Sequence, residues 1–358
     1  MKTICFYISD YGNGHAARAI AIIRAIVDSH NDIQVIAKTF GPFGFTQNSL
    51  AHPRISVIPC RNDIEIPLKD SLSAVDRKKT RELFIAWIRS WDEDIYRECA
   101  FSKERNVDLI ISDIAPQPFL VADTLGIPSL AISNFSWDTI YRHLFPDMNE
   151  LHRLEDAYQR ATKALILPFD IDMDKFPRKE RVSLVSRGIT RSRQEMRSHL
   201  GIPEEAFLVF IGKSPAVPDM VSSLIGSNLN IRVLLPSGIR IPNALIIPDD
   251  ETESQNWIGM CDCVITKCGY STVSEAVRAH VPLLVWKREG FIEDDAIATK
   301  AENLGIGKMV NSVEEGITYC IKDRAGLEIF RENYGVIDPI YDNDGISRIL
   351  AEIARVIH

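Results

Sequence analysis

The sequence predicts a two-domain α/β protein in which each domain is built on a doubly wound parallel sheet. Three observations predict it. Short apolar runs alternate with stretches of helical spacing, a charged and proline-bearing segment over 170–190 interrupts the alternation once, and the alternation then restarts. Strands buried on both faces read as continuous apolar runs, which is the form these take. A chain of 358 residues is also long enough for two cores.

The elements follow in order. TICFYIS over 3–9 is an apolar strand that runs into the glycine-bearing DYGNGH, and AARAIAIIRAIVDSH then carries apolar residues at helical spacing. IQVIAKT and ISVIPC are the next strands, and residues 78–104 predict a helix. DLIISD over 108–113 is a buried strand, PFLVADTLG a helix and PSLAISNF a further strand. After a helical stretch over 147–163, ALILPF at 164–169 reads as the last strand of a first domain spanning 1–169. The segment 170–190 reads as the interdomain linker. A second domain over 191–343 opens with the helix RSRQEMRSHLGI and continues with FLVFIGKS, IRVLLPS, ALIIPDD, CDCVITKCG and PLLVWKRE as strands, while 344–358 predicts a C-terminal helix.

Composition narrows the function classes. Apolar residues make up 46% and charged residues 25%, as in an ordinary globular enzyme. A net charge of -8 argues against a broad nucleic-acid footprint, which needs clustered lysine and arginine. It leaves a mononucleotide open, because a few backbone N–H groups and local cations hold a diphosphate. Seven cysteines, an odd number set mostly in apolar runs, suit a reducing compartment. Cys261, Cys263 and Cys268 lack paired CxxC spacing and read as buried thiols rather than metal ligands. The N-terminus lacks the pattern of a signal peptide and no run is long enough to span a bilayer, so the expectation is a cytoplasmic protein, with peripheral membrane contact left open.

In open parallel sheets ligands collect beyond the carboxyl ends of the strands, so the residues there are the candidates. Gly12-Asn13-Gly14-His15 closes the first strand and opens a helix, where glycine allows close approach and unpaired N–H groups meet an anion or an oxygen-rich substrate. Histidine titrates near neutrality and suits a general base, and Asp113, at the end of another strand, is the candidate to orient it. The competing reading is a histidine that caps its own helix.

Gly269-Tyr270-Ser271-Thr272-Val273-Ser274-Glu275 follows CDCVITK. Here Ser271 and Thr272 sit where a helix begins and suit a diphosphate, while a Glu275 carboxylate suits the two hydroxyls of a ribose. A capping box between Thr272 and Glu275 fits the same spacing. Beyond PLLVW, Arg288, Glu293 and Asp294 fall in a charged run that suits a donor sugar and its phosphates, or stands as solvated charge. Gly212-Lys213-Ser214 adds a fourth loop suited to phosphate.

GNGHAAR, SDIAPQPFLVADTLGIPSLAISNFSWDTIY and KCGYSTVSEAVRAHVPLLVWKREGFIEDD resemble the glycosyltransferase-like N-terminal region of plant L-arabinokinases and its stand-alone prokaryotic relatives. The resemblance runs through SLVSRGITRSRQEMRSHLGI. More distantly, the GxGH turn and the G-x-x-T-x-x-E pattern are similar to inverting GT-B glycosyltransferases. That resemblance implies two Rossmann-like domains facing a central cleft, with the nucleotide sugar on the C-terminal domain and the acceptor on the N-terminal one, against which the final helix packs back.

It also implies His15 as base with Asp113 as its orienting acid, and a nucleotide role for Gly269, Ser271, Thr272 and Glu275. The implied reaction is inverting transfer from a nucleotide-diphosphate sugar, UDP-linked, to an acceptor hydroxyl. Lys213 and helix N-termini stand in for a metal, and the nucleotide sugar is a substrate, so no cofactor is expected. Asn134, Trp137 and Asp138 are expected to line or support the acceptor side, although Trp137 and Tyr141 also fit one packed helical face.

Two departures stand out. Glu293-Asp294 replaces the Asp-Gln pair that usually touches the donor sugar, and no second Gly/Ser-rich ATP loop is seen, so the kinase activity of L-arabinokinase is not expected to carry over. Hydrolysis of the nucleotide sugar, and a non-catalytic nucleotide-sugar sensor, remain alternative readings.

Overall fold

The computed structural model describes residues 1–69, 74–213, 231–239 and 241–357. They divide into two compact units, one comprising Met1–Pro67, Val75–Val185 and Asn343–His358 and the other the described residues of Leu68–Ala74 and Ser186–Asp342.

The first unit holds seven strands: β1 Lys2–Tyr7, β2 Ile33–Thr39, β3 Ile55–Pro59, β4 Leu109–Ser112, β5 Ser129–Ser133, β6 Lys163–Ile166 and β7 Lys179–Arg181. Their order is β3-β2-β1-β4-β5-β6-β7, and every pairing is parallel. Helices α1 Asn13–Ser29, α2 Phe43–Ser49, α3 Arg77–Glu104, α4 Gln117–Leu125, α5 Trp137–Leu144 and α6 Leu151–Gln159 connect them. The chain winds outward from β1 through β3 and then returns to place β4 on the other side of β1. Tyr7 pairs with Ser112, so the loops leaving β1 and β4 start side by side at the point where the winding reverses.

In the second unit the six strands are β8 Phe207–Ile211, β9 Ile231–Leu235, β10 Leu245–Ile246, β11 Cys263–Lys267, β12 Leu283–Trp286 and β13 Gly307–Met309. They lie in the order β10-β9-β8-β11-β12-β13, again all parallel. The helices described here are α7 Arg193–His199, α8 Ser254–Gly259, α9 Tyr270–Arg278, α10 Ile292–Asn303, α11 Val313–Lys322, α12 Arg324–Asn333 and α13 Pro339–Asp342. The reversal falls between β8 and β11. Valines, isoleucines and leucines of β8, β9, β11 and β12 form the core beneath α11 and α12. All seven cysteines are free thiols, and all but Cys60 are buried.

The last helix, α14 Ile346–Ile357, belongs to the first unit and packs along α1. Its apolar stripe buries Ile349, Ile353 and Ile357. Glu352 on the same face is fully buried, which costs desolvation unless the charge is paired. Lys163 at 3.1 Å and Arg355 at 2.5 Å supply the pairing.

Three features differ from the sequence expectation. The first unit continues through β7 to Val185, so the boundary falls inside the segment read as a linker. β7 is the charged tripeptide KER, which has no apolar run to betray a strand and whose charges suit a sheet edge. β13, an edge strand of the second unit's sheet, is equally short and escapes the periodicity for the same reason. Among the described residues no helix is long and apolar enough to cross a membrane.

Truncating a fully buried isoleucine leaves a cavity, so Ile353→Ala is expected to cost about 2–5 kcal/mol, read as a lower denaturation midpoint of the first unit. An unchanged midpoint would mean that α14 does not close this core.

Candidate active site

In the first unit the site grows from the β1 and β4 ends. Gly12 takes φ +81, a region that penalises any side chain, and occupies the position before α1. It offers no capping side chain, so the first-turn N–H groups of α1 receive none from it. Gly12 and Asn13 are exposed and Gly14 half-buried, which leaves this turn open to a ligand.

His15, third in the helix, points its Nδ1 at Asp113 Oδ2 over 2.6 Å. One turn later Arg18 donates from Nε to Asp113 Oδ1 at 2.5 Å, and from its two terminal nitrogens to Asn134 Oδ1 at 2.6 Å and Ser133 Oγ at 3.0 Å. Five side chains, His15 and Arg18 from α1, Asp113 from the end of β4 and Ser133 with Asn134 from the end of β5, thus form one buried polar cluster.

Its protonation follows from chemistry. Burial alone would raise the Asp113 carboxyl, but the Arg18 guanidinium and His15 outweigh it and hold the group below the usual carboxylate range. An ionised Asp113 only accepts, so the short contact puts the proton on Nδ1 of His15 and leaves Nε2 as the basic nitrogen. Arg18 also lies 2.9 Å from the same Nδ1. A guanidinium cannot accept, so with Nδ1 protonated that contact is proximity, and the Arg18 proton goes to Ser133. Among the described residues nothing bonds His15 Nε2, and the side chain keeps 9% of its surface exposed.

Asn134, Trp137 and Asp138, expected to line or support the acceptor side, are buried. Asn134 and Trp137 have no exposed surface, and Asp138 keeps 3%. Asn134 holds Arg18. The Trp137 indole donates to Asp63 at 2.9 Å while its ring meets Phe135, Tyr11 and Tyr141. Burial pushes the Asp138 carboxyl up, and its Oδ1 has no partner among the described residues. These residues support the site from behind.

Arg18, Asp10 and Asp63 escape sequence reasoning. An arginine inside a helix reads as solvated, whereas Asp10 and Asp63 follow β1 and β3 and satisfy the strand-end rule that would have found them.

In the second unit Gly212 follows β8 and packs so closely that a Cβ there would meet Thr266 Oγ1 at 2.5 Å. Lys213 is exposed; Ser214 lies outside the described residues. Gly269 stands before α9, again without a capping side chain, and Ser271 and Thr272 are half-buried in the first turn. Lys267 at the end of β11 reaches solvent beside this turn, its ammonium pushed down first by desolvation and then by Arg288.

Several expectations are corrected here. Glu275 forms no capping box, because α9 begins at Tyr270 and Gly269 holds the cap position. It is buried instead against Arg187, whose NH2 donates to Oε1 at 2.6 Å, while Ser254 reaches Oε2 at 3.3 Å. At 3% exposure the carboxylate is turned to Arg187 rather than presented to a ribose. Asp294 has no exposed surface and accepts from Arg288 at both oxygens, from the backbone N–H and Nε at 2.8 and 3.0 Å and from NH2 at 2.6 Å. The Arg288 guanidinium stacks on Phe291. Arg288 and Asp294 therefore lock the β12–α10 loop rather than present charge to a sugar; Glu293 beside them is buried at 6% exposure.

Two doubly wound parallel-sheet units are the architecture of the GT-B fold, and solved glycosyltransferases of that fold match the chain along its length. The Phytolacca americana enzyme UGT2, complexed with UDP-2fluoro-glucose and pterostilbene, aligns over all of both chains at TM-score 0.64 and 15% identity. The spinosyn rhamnosyltransferase SpnG, complexed with thymidine diphosphate, aligns over 99% of this chain and 100% of its own at TM-score 0.65 and 11% identity. The calicheamicin glycosyltransferase CalG4 gives 0.65 at 14% identity, over 100% of this chain and 98% of its own.

In sequence the chain is similar to L-arabinokinase of Arabidopsis thaliana, 27% identical over 314 residues that cover 83% of this chain and 29% of the plant protein. It is thus similar to less than a third of that relative. An uncharacterized glycosyltransferase of Methanosarcina acetivorans is 19% identical, covering 92% of this chain and 91% of its own length. No protein-family model matches the chain.

Removing one member of a buried ion pair strands the other, so Arg18→Met is expected to cost about 3–5 kcal/mol of stability, read by thermal or denaturant melting. A cost below about 1 kcal/mol, the range of an exposed pair, would contradict the buried geometry.

Proposed function

We propose that the chain is an inverting glycosyltransferase that moves a sugar from a nucleotide-diphosphate sugar, UDP-linked, to an acceptor hydroxyl, without a metal. The observation that carries this reading is the buried contact of His15 Nδ1 with Asp113, which leaves Nε2 basic at an open glycine turn. An acceptor hydroxyl gives its proton to Nε2 as its oxygen attacks the anomeric carbon. The bond from that carbon to the diphosphate oxygen breaks on the opposite side, and the nucleoside diphosphate leaves with the electron pair. Asp113 stabilises the imidazolium that forms.

Gly12, Asn13 and Gly14 supply backbone to the acceptor side. The donor side is assigned to the second unit: the α9 start with Gly269, Ser271 and Thr272, Gly212 and Lys213 beyond β8, and Lys267, with the lysine charges opposing the one that develops on the leaving group. The nucleotides named with UGT2 and SpnG support a nucleoside diphosphate as the leaving group. A cytoplasmic location suits such a donor.

His15→Ala is expected to lower transfer about 10²–10⁴-fold while nucleoside diphosphate affinity stays unchanged, measured by product formation beside a binding isotherm. Parallel loss of both would contradict the assigned role. A nucleoside diphosphate that binds only the folded chain at 100 times its Kd is expected to add about 2.7 kcal/mol of stability, read as a thermal shift that Lys267→Ala reduces.

A further inference from the structure

Asp63 lies just beyond β3 with 5% of its surface exposed. Its Oδ1 accepts the backbone N–H of Asp10 at 2.7 Å, and its Oδ2 accepts the indole N–H of Trp137 at 2.9 Å. One carboxyl thereby ties the loop after β1 to the start of α5. Asp10 is itself anchored, since its carboxylate accepts from the N–H groups of Phe40 at 2.6 Å, Gly41 at 3.0 Å and Asn62 at 2.8 Å.

The indole held this way stands edge-on to Phe135, centroids 5.2 Å apart, and Phe135 stands edge-on to His15 at 5.8 Å. An indole has a single N–H donor, and Asp63 takes it.

We propose that Asp63 is a positioning residue for the His15 site: it holds Trp137 in the aromatic wall beside the imidazole, and its proton sets how firmly that wall is held. The proposal rests on the reading of His15 as the base. A hydrogen bond to an ionised carboxylate is roughly twice as strong as one to a neutral acceptor, so protonation of Asp63 loosens the indole. Burial first, and then the Asp10 charge, push the Asp63 carboxyl up to about 7, while Ser9, the Asp10 N–H and His15 pull it back. The titratable groups facing it are Asp10 beyond β1, His15 on α1, Tyr141 on α5 and Tyr158 on α6.

The raised Asp63 carboxyl sets the sign of the linkage. A folded value raised above an unfolded one of about 3.9 gives a stability contribution that is present at acid pH and lost as pH rises through about 7. Charging Asp63 therefore works against folding while it tightens the indole. The melting temperature of Asp63→Asn relative to the unsubstituted chain is accordingly higher at pH 8 than at pH 5.

The decisive experiment is a pH titration of the indole ¹H–¹⁵N resonances of the full chain, with Trp137 identified as the signal lost in Trp137→Phe. The expected result is a step in the Trp137 signal near pH 7 that Asp63→Asn abolishes and Asp10→Asn moves to lower pH. A Trp137 signal flat through this range in the unsubstituted chain overturns the proposal, as does a step that survives in Asp63→Asn. Should Asp63→Asn fail to fold, an unmoved midpoint in Asp10→Asn overturns it as well. No arm of the experiment reads transfer, so its failure is distinct from a failure of His15 as the base.

Discussion

The buried pair of Arg18 with Asp113 is the constraint on which the rest of the first site depends. A carboxylate this deep is costly unless a cation and hydrogen bonds compensate it, and Arg18 supplies both. With the charge secured, Asp113 is left one function, to accept from His15. The cluster exists because of topology: α1 leaves β1, Asp113 follows β4, and Ser133 with Asn134 closes β5, three neighbouring strands whose ends converge where the winding reverses. Parallel order converts residues some 100 positions apart into one side-chain network.

The second unit uses the same strand-end geometry differently. There the conspicuous charges pair among themselves, Arg187 with Glu275 and Arg288 with Asp294, each pair buried and shaping a loop. What these pairs leave for a ligand is the uncapped start of α9, the hydroxyls of its first turn and the lysines at the ends of β8 and β11. A site of backbone N–H groups and cations is suited to a diphosphate, whereas the first unit places an oriented imidazole beside an open turn. The proposed division of chemistry between the units thus rests on which charges are already matched.

Much of this was legible in the sequence, for a physical reason. Interior strands such as β1, β4, β8 and β11 are buried on both faces and so read as apolar runs; Asp113 was legible because it directly follows one, and His15 because it lies in the glycine turn and helix start that follow another. The edge strands β7 and β13 were not, since a strand that buries little leaves no apolar signature. Partner choice was illegible as well. Glu275 at helical spacing after a glycine turn reads equally as a ribose ligand or a cap, and only the tertiary fold reveals Arg187, from a segment read as linker, as its partner. Trp137 and Asn134 carried a polar and aromatic signal, but it could not show that burial sets them behind the His15 cluster rather than on a surface.

The central claim, that an ionised Asp113 fixed by Arg18 keeps the proton of neutral His15 on Nδ1, is tested most directly by the ¹⁵N spectrum of ring-labelled histidine in the folded chain, with the His15 signals identified through His15→Gln. The expected result is neutral His15 as the Nδ1–H tautomer, and a tautomer mixture once Asp113→Asn removes the carboxylate. A neutral His15 protonated on Nε2, or one indifferent to that substitution, would contradict it.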